Sequence, residues 1–403
     1  MLHTLEVMFL RVYMAIFKLV TAVLPFKWPQ TFEGADSSLN LINHMATQGH
    51  KRVLIVTDEM IVKLGLLEKM LAEMDKAGLE HAIYDGVKPD PTVAQIEAGH
   101  RVLADNDCDA VLAVGGGSSI DAAKMISARA KNQKPIIKMT GLFRVWRGML
   151  PLYAVPTTAG TGSEVTIAAV VSDPEQQRKL PAMDLKLMPT AAALDGALMT
   201  GLPPHITAAT GMDALTHAVE AYVSRNAMSR TDERAIEATQ LIMRNLETAF
   251  DEGSNIEARQ NMARASHLAG IAFTQAGVGY VHAIAHNFGA RYHVPHGLAN
   301  AIVMPHVLEY SLPNAAPRLA ELARECGIGP ADGSEQQLAE AFIQKIRDMN
   351  TKFGIPSTLE SLQERDIPPI ASAALAEARF TYAVPRYMDQ GAAEGVIRQM
   401  LPA

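Results

Sequence analysis

Short apolar runs alternate with longer amphipathic stretches between residues 51 and 195. The runs typical of buried strands are VLIVTD at 53–58, HAIYD at 81–85, AVLAV at 110–114, PLYAVPT at 151–157 and AAALD at 191–195. Apolar residues at helical spacing mark stretches between the first four runs, at 60–77, 93–104 and 118–130. Strands that alternate with helices of this length predict crossover units and a mostly parallel sheet covered on both faces.

Strand signals fade beyond the Leu-Pro-Pro sequence at 202–204, where the best domain boundary lies. Long helical patterns follow, at 206–223, 231–250, 256–274 and 319–325. The chain has 403 residues, and at about 150 residues per domain this length suggests two or three domains. We predict an apolar N-terminal helix over residues 1–30, an α/β domain over 31–203 and an all-helical domain over 204–403.

The first thirty residues are the most apolar of the chain. Residues 8–26 are nearly long enough to span a bilayer, but Arg11 and Lys18 stand inside this run, and both would lie on one helical face. The segment lacks the leading charges and the cleavage site of a secretory signal. We predict an amphipathic helix packed on the body of the protein or on a sister subunit. Peripheral membrane contact through residues 1–28 is the first alternative, and a true span is the second.

Composition narrows the class of protein. The chain carries 36 Lys+Arg against 43 Asp+Glu, a net charge of −7, which argues against a nucleic-acid partner. A hydrophobic content of 48% excludes wholesale disorder. Only two cysteines are present, so a disulfide scaffold is excluded and a reduced, cytoplasmic protein is expected. Composition does not explain six histidines within about 40 residues: His267, His282, His286, His293, His296 and His306.

A glycine-rich turn joins the third strand to the next helix in AVLAVGGGSSIDAAK. Gly115, Gly116 and Gly117 allow the main chain to turn sharply and to approach a ligand, and a helix N-terminus is a phosphate seat. Ser118 and Asp121 have the spacing of a capping box. The segment matches neither G-x-G-x-x-G nor a P-loop. A tight turn that needs glycine only for its shape is the alternative.

A second turn, PTTAGTGSE at 156–164, follows the fourth strand. The carboxyl ends of parallel strands meet at one edge of the sheet, where such sheets bind ligands. Hydroxyls in this turn could therefore donate to phosphate or ribose, or they could cap their own turn. They belong to Thr157, Thr158, Thr161 and Ser163.

Asp58 ends the first strand at the same edge. A carboxylate there accepts from ribose hydroxyls and repels a 2′-phosphate, which favours NAD over NADP. A plain cap on the following helix is an equal alternative for Asp58.

The helical half carries two pairs of metal-ligand type at i, i+4 spacing, Asp213 with His217 and His282 with His286. Side chains four residues apart leave one face of a helix about one turn apart. His296 follows in a Pro-His-Gly turn. Together they predict a metal site. Imidazoles with one carboxylate suit Fe²⁺, Zn²⁺, Co²⁺ or Ni²⁺, and such a metal would polarise an alcohol oxygen for hydride removal.

Four segments together resemble the iron-containing (group III) alcohol dehydrogenases, in particular the lactaldehyde reductase and primary-alcohol dehydrogenase branch: GGGSSIDAAK, PTTAGTGSE, GMDALTHAVEAY and HAIAHNFGARYHVPHGLANAI. The similarity runs from about Arg52 to near the C-terminus. It implies a dehydroquinate synthase-like two-domain fold, with a dinucleotide-binding α/β domain, a helical metal-binding domain and the site in the cleft between them. It also implies a homodimer.

The resemblance further implies roles for single residues. The metal, Fe²⁺ with Zn²⁺ as the alternative, would be held by Asp213, His217, His282 and His296. His286 would be a catalytic residue near the nicotinamide and the substrate, a candidate for proton relay. The residues expected to contact NAD are Asp58, Gly116, Gly117, Ser118, Asp121, Thr157, Thr161, Thr166 and Lys179. Two departures stand out: Asp90 replaces the asparagine of close relatives, and the segment before about residue 30 has no counterpart in shorter members.

The leading hypothesis is hydride transfer between NAD(H) and a primary alcohol/aldehyde pair, with a small molecule as substrate. Ala168, Ala169 and Phe273 either leave room for a longer apolar substrate or are ordinary core residues. One alternative keeps the fold but changes the chemistry, to a polyol (glycerol-type) dehydrogenase or a dehydroquinate synthase-like enzyme. Another alternative is a metal-dependent hydrolase whose glycine turn binds only a phosphate.

Overall fold

The structure of the protein, a computed structural model, describes residues 2–173 and 178–402. Met1, residues 174–177 and Ala403, which the predicted domains include, lie outside the described residues. The chain forms two compact units. The α/β unit contains Phe26–Leu202 and Gly253–His267, and the helical unit contains Met1–Pro25, Pro203–Glu252 and Leu268–Ala403.

The strands of the described chain all lie in the α/β unit. They are β1 (Gln30–Glu33), β2 (Arg52–Val56), β3 (Glu80–Tyr84), β4 (Ala110–Gly115), β5 (Gly141–Leu142), β6 (Leu152–Pro156), β7 (Ala168–Asp173), β8 (Arg178–Met183) and β9 (Ala191–Leu194). Six of them form a parallel sheet in the order β1-β9-β6-β4-β2-β3. The predicted parallel sheet is confirmed. A second sheet, β5-β8-β7, contains the antiparallel pair β7–β8, which the apolar pattern did not predict.

The α-helices, numbered along the chain, are α1 (Leu2–Val23), α2 (Ser37–Thr47), α3 (Glu59–Lys63), α4 (Glu68–Ala77), α5 (Val93–Asp105), α6 (Gly117–Lys131), α7 (Pro204–Val223), α8 (Ser229–Asp251), α9 (Ile256–Ala276), α10 (Tyr280–Tyr292), α11 (His296–Glu325), α12 (Glu335–Lys352), α13 (Ile367–Ala378) and α14 (Gln390–Arg398). The single helix predicted at 60–77 is wrong, because the chain breaks between α3 and α4. Gly65 adopts φ +69° there, a left-handed conformation that interrupts a helix.

Two apolar layers pack on the central sheet. Val53, Ile55 and Leu112 belong to a cluster with α2 and α4, and Leu54 and Val111 belong to another cluster with α5 and α6. Alternate residues of one strand therefore enter opposite clusters, as expected for a sheet covered on both faces.

Strand register places the two predicted ligand turns side by side. β4 and β6 pair in parallel with Gly115 opposite Pro156, and the Thr157 N–H donates to the Gly115 carbonyl at 3.0 Å. The chain after β4 and the chain after β6 therefore leave the sheet as neighbours at its carboxyl edge.

The helical unit is built around α7, whose residues from Gly211 to Val223 are all buried. α1 packs on this unit through buried Leu10 and Met14. Within residues 2–173 and 178–402, no single helix combines the length and apolarity needed to cross a membrane, although the bent pair α9 and α10 passes by length and composition.

Candidate active site

Four side chains of the predicted metal set come together in the helical unit. Asp213 and His217 lie one turn apart on α7, His282 lies on the first turn of α10, and His296 begins α11. One donor atom from each residue lies within 4.8 Å of the other three. His296 Nε2 lies 3.4 Å from Asp213 Oδ1, and His282 Nε2 is 3.9 Å from the same oxygen.

Burial distinguishes these four residues. The side chains of Asp213, His217 and His282 are 3% to 6% exposed, whereas His296 is 34% exposed. Burial lowers the pKa of His282 well below its usual value, and three neighbouring imidazoles lower it further. The neutral imidazole thus favoured is the form that binds metals.

Glu220 orients the His282 ring from behind. It lies on α7 one turn after His217, and its Oε2 is 2.6 Å from His282 Nδ1. With Nδ1 donating to this carboxylate, the lone pair of His282 lies on Nε2, the atom that faces Asp213. Burial raises the pKa of Glu220, but N–H donors from the Gly279 and Val281 backbone act in the opposite direction and favour the carboxylate that accepts from His282.

Asn300 is a member of this site that the motif analysis missed. Its Nδ2 lies 2.7 Å from Asp213 Oδ1, 3.3 Å from His282 Nε2 and 3.2 Å from His296 Nε2. An amide nitrogen carries two hydrogens and cannot satisfy three acceptors at once. The available signal was its position one helical turn after His296 on α11.

The donor set fits a divalent metal ion. One carboxylate and three imidazoles are ligands that Fe²⁺ and Zn²⁺ both accept. Their four ligand atoms converge, and the Asn300 amide, with two hydrogens, cannot donate to all of them. The carboxylate behind His282 is the outer partner that metal-binding histidines commonly have.

His286 lies beside this group without belonging to it. Its ring stacks on that of His296 with centroids 5.3 Å apart, and its Nδ1 is 2.8 Å from Glu377 Oε1. Glu377 Oε1 also accepts from the Tyr382 hydroxyl at 2.6 Å. The His286 side chain is 31% exposed, so the chain of polar groups reaches solvent.

Two other histidines of the histidine-rich stretch lie in the helical unit outside the candidate metal site. His293 ends α10 in the left-handed conformation, with φ 58°. His306 Nδ1 lies 3.0 Å from Gln399 Oε1. Neither is part of the four-residue group.

The Glu220→Gln substitution should lower the metal affinity of the site by about tenfold to a hundredfold, the usual effect of losing an outer carboxylate. Glutamine presents an N–H₂ where Glu220 now accepts hydrogen bonds on both oxygens. Metal content after dialysis against graded chelator concentrations is the measurement. Glu377→Gln is the matched control, since Glu377 bonds a histidine outside the four-residue group. Equal metal retention by both variants would contradict the role assigned to Glu220.

In the α/β unit, the glycine turn leads directly into α6. Gly116 is the N-cap of this helix. It has no side chain, so it cannot accept a capping hydrogen bond from the first backbone N–H groups. The predicted capping box of Ser118 and Asp121 is wrong, because the helix already begins at Gly117 and the Asp121 oxygens accept from Ser163 Oγ and the Val170 N–H. The first turn of α6 is therefore left without a side-chain cap, as a phosphate seat requires.

Close packing explains the glycines of this turn. Gly115 has φ +151°, and a Cβ there would lie 2.5 Å from Ser119 Oγ. A Cβ on Gly117 would lie 2.7 Å from Thr161 Cγ2. The nearest atom to a Cβ on Gly116 would be Thr158 Oγ1, at 3.3 Å. The glycine turn and the second turn are thus in direct contact.

Asp58 has the capping role that was one of its two predicted alternatives. Its Oδ1 caps α3 by accepting from the Met60 and Ile61 N–H groups at 2.9 Å and 3.1 Å. Its Oδ2 points towards Gly115, where an added Cβ would lie 3.6 Å away. Helix capping therefore leaves one carboxylate oxygen beside the glycine turn for a ribose hydroxyl.

Several predicted cofactor residues stabilise the second turn from inside. Thr161 Oγ1 accepts from the Ser163 N–H at 3.2 Å. Thr166 is buried, and its hydroxyl lies 2.9 Å from the Nζ of buried Lys124. Burial raises the pKa of Asp121 and lowers that of Lys124 to about 8. These contacts give Asp121 and Thr166 a structural role in holding the turn.

Lys179 forms an ion pair with Asp90, the position at which this sequence departs from close relatives. Its Nζ pairs with Asp90 Oδ1 at 2.7 Å, and Asp90 adopts a left-handed φ of 57° that asparagine also tolerates.

If Lys179 contacts NAD, as the family resemblance implies, the Asp90→Asn substitution should strengthen NADH binding by a few-fold, because it removes the carboxylate that pairs with Lys179. Fluorescence titration with NADH measures the change, and Asp85→Asn, another acidic residue at a nearby turn, is the control. Unchanged or weaker NADH binding in Asp90→Asn would contradict this effect.

The residues considered for substrate size have different positions. Ala169 is fully buried in the core of the α/β unit, and the Ala168 carbonyl accepts from Lys124 Nζ. Phe273, in contrast, stacks on the ring of His217 with centroids 4.2 Å apart. Of the three, only Phe273 contacts the candidate metal ligands.

Comparison with known proteins matches both units. The family profile for iron-containing alcohol dehydrogenase covers residues 29–196, and that for the C-terminal part of the Fe-containing alcohol dehydrogenase family covers 207–401. The chain is 40% identical to 1,3-propanediol dehydrogenase of Klebsiella pneumoniae over 87% of this chain and 92% of that protein. It is 41% identical to NAD-dependent methanol dehydrogenase of Bacillus methanolicus, over 80% and 85%.

A solved structure of 1,3-propanediol oxidoreductase superposes with a TM-score of 0.90 at 38% identity, covering 94% of this chain and all of that chain. The chain belongs to the iron-containing alcohol dehydrogenase family. The predicted family, two-part fold and oxidoreductase class are confirmed, as are a metal and NAD as the cofactors of this family.

Proposed function

We propose that the protein is a metal-dependent dehydrogenase that interconverts a primary alcohol and its aldehyde with NAD(H), and that Fe²⁺ is its metal. The observation that carries the proposal is the convergence of Asp213, His217, His282 and His296 with a carboxylate behind His282. These four residues would hold a divalent metal, which would supply Lewis-acid polarisation of an alcohol oxygen, and NAD would supply the hydride acceptor. The relatives named for 1,3-propanediol and methanol dehydrogenation support an alcohol as substrate.

The residues of this chain position and deprotonate the substrate. Glu220 holds His282 with Nε2 towards the other donors. His286 is the proton relay: because its Nδ1 is engaged by Glu377, its Nε2 is the ring atom left to accept the alcohol proton. The exposed part of the ring can then pass that proton to solvent.

The cofactor is proposed to bind at the carboxyl edge of the sheet. The uncapped first turn of α6, at Gly116, Gly117 and Ser118, would receive the pyrophosphate. Asp58 Oδ2 would accept from the adenosine ribose and would repel the 2′-phosphate of NADP. The hydroxyls of Thr157 and Thr158, beside the glycine turn, would donate to the cofactor.

The comparisons favour oxidoreduction over hydrolysis and favour alcohol dehydrogenases over other enzymes of the same fold. Metal analysis of anaerobically purified protein, combined with an NADH oxidation screen across aldehydes of graded length, tests the proposal. We expect about one metal ion per chain and aldehyde-dependent NADH oxidation that is lost when a chelator removes the metal. Metal-free protein with undiminished aldehyde reduction, or protein that does not bind NADH, would overturn it.

We also propose that the protein acts as a homodimer in the cytoplasm. The family resemblance supports the homodimer. The cytoplasm is supported by the low cysteine content of the chain and by the free state of Cys108 and Cys326. Light scattering of the purified protein measures its mass in solution.

A further inference from the structure

α1 presents a continuous apolar face to solvent. Leu10, Met14 and Thr21 bury the opposite face of the helix against the helical unit. Its exposed large side chains follow one another at spacings of one and three residues and are between 37% and 80% exposed: Met8, Phe9, Val12, Tyr13, Ile16, Leu19, Val20 and Val23. At roughly 100 Å² exposed per side chain, the eight exceed the largest apolar patch of a typical monomer, about 300–600 Å².

The helix is fixed in this orientation by polar contacts at both ends. Glu6 forms an ion pair with Arg379, with Oε1 and Nη2 2.7 Å apart. Lys18 Nζ donates to the carbonyls of Arg225 and Ala227, and Arg230 Nη2 donates to the Ala22 carbonyl at 3.2 Å. The apolar face is therefore held outward by the body of the protein rather than exposed by a detached segment.

Four arginines lie on α1 or on segments that contact it. Arg11 is exposed on α1 itself, and Arg225, Arg230 and Arg379 are exposed on the segments that contact the helix. The single carboxylate of α1 in the described range, Glu6, is already paired with Arg379. Basic groups are therefore available beside the apolar face, although the chain has a net charge of −7.

Two observations disfavour a second copy of this chain as the occupant. Self-association through α1 would bring Arg11 of both copies to one interface, where α1 offers no unpaired carboxylate for them. The family profiles also begin at residue 29, so a dimer of the kind the family resemblance implies does not depend on this helix.

We propose that the exposed face of α1 binds a lipid bilayer with anionic headgroups, and that the helix lies in the plane of the interface. An apolar helix face can enter the boundary between headgroups and acyl chains while flanking arginines bind lipid phosphates. This inference is independent of the proposed enzymatic function.

Cosedimentation of the full chain with vesicles tests the proposal. We expect binding to vesicles in which a third of the phosphatidylcholine is replaced by phosphatidylglycerol, and weaker binding to phosphatidylcholine alone. The Phe9→Glu/Ile16→Glu/Leu19→Glu variant should no longer sediment with either. The control, Leu142→Glu/Trp146→Glu/Ile256→Glu, places three glutamates on exposed apolar positions outside α1 and should bind like the unmodified chain.

A second variant tests the electrostatic part. Arg11→Gln/Arg230→Gln should weaken binding to the anionic vesicles by roughly tenfold to thirtyfold, at about fivefold for each basic residue near the surface. Binding to phosphatidylcholine alone should change little. Circular dichroism and the melting temperature establish that each variant is folded.

Three results would overturn the proposal. In the first, the unmodified chain fails to sediment with either vesicle. In the second, the α1 triple variant sediments as well as the control variant. In the third, vesicle binding is absent, and light scattering finds that the unmodified chain and the control variant form a complex that the α1 triple variant does not form. This last result would identify the face as a contact between copies of the chain.

Discussion

Replacing His282 with alanine is expected to leave less than about a tenth of the metal bound and to lower kcat for alcohol oxidation about a thousandfold. Loss of a Lewis acid removes several kcal/mol of transition-state stabilisation, and each 1.36 kcal/mol is tenfold in rate. The variant also leaves the buried Glu220 carboxylate without its imidazole donor. Metal analysis and steady-state kinetics measure the two effects.

His293→Asn is the control for this experiment. His293 lies in the same histidine-rich segment but ends α10 at φ 58°, a conformation that asparagine tolerates. It should keep full metal content and full turnover. Full metal content and full turnover in His282→Ala would instead remove the basis for the proposed metal centre.

The second large effect is expected at the glycine turn. Gly117→Ala should raise the Kd for NADH about tenfold to a hundredfold, because its Cβ would meet Thr161 Cγ2 at 2.7 Å and force the two turns apart. Overpacking of this kind typically costs about 1–3 kcal/mol. Fluorescence titration with NADH measures the change. Metal content should stay the same, since the substitution lies in the α/β unit.

Gly395→Ala provides the matched control, because a Cβ on this helical glycine has no atom within 4 Å. It should bind NADH like the unmodified chain. An unchanged Kd in Gly117→Ala would mean that this turn has only a structural role.

The parallel sheet was predictable because its central strands are apolar along nearly their whole length. AVLAV at 110–114 is buried on both faces and corresponds closely to β4. The local interruption after α3 was not predictable, since Leu64, Leu66 and Leu67 continue the apolar pattern through the break that Gly65 makes. β7 and β8 were missed for a different reason: their pairing depends on partners distant from the residues that periodicity compares.

In the active site, the spacing of histidines predicted which candidate ligands lie together but not which side chains hold them in place. Asp213 with His217 and His282 with His286 are local i, i+4 pairs, so one helical period suffices to see them. The spacing did not separate His282 from His286; the partners of their Nδ1 atoms, Glu220 and Glu377, distinguish the two rings only in three dimensions.

Asn300 and Glu220 were missed although each lies one turn from a predicted ligand. Asparagine and glutamate are common on helices, and their residue type does not reveal which of them is buried beside an imidazole. The same limit applies to Asp121, which was predicted to cap α6 but binds Ser163 and the backbone of β7.

The four candidate metal ligands come from three helices, and Asp213 and His296 are separated by 83 residues along the chain, from 213 to 296. An ion held there would act as a cross-link between α7 and the junction of α10 and α11. The folding of this unit is then thermodynamically linked to the concentration of free metal. If the ion is Fe²⁺, as proposed, its oxidation and loss would lower the stability of the helical unit as well as the activity. Storage in air would then shorten the lifetime of the folded protein.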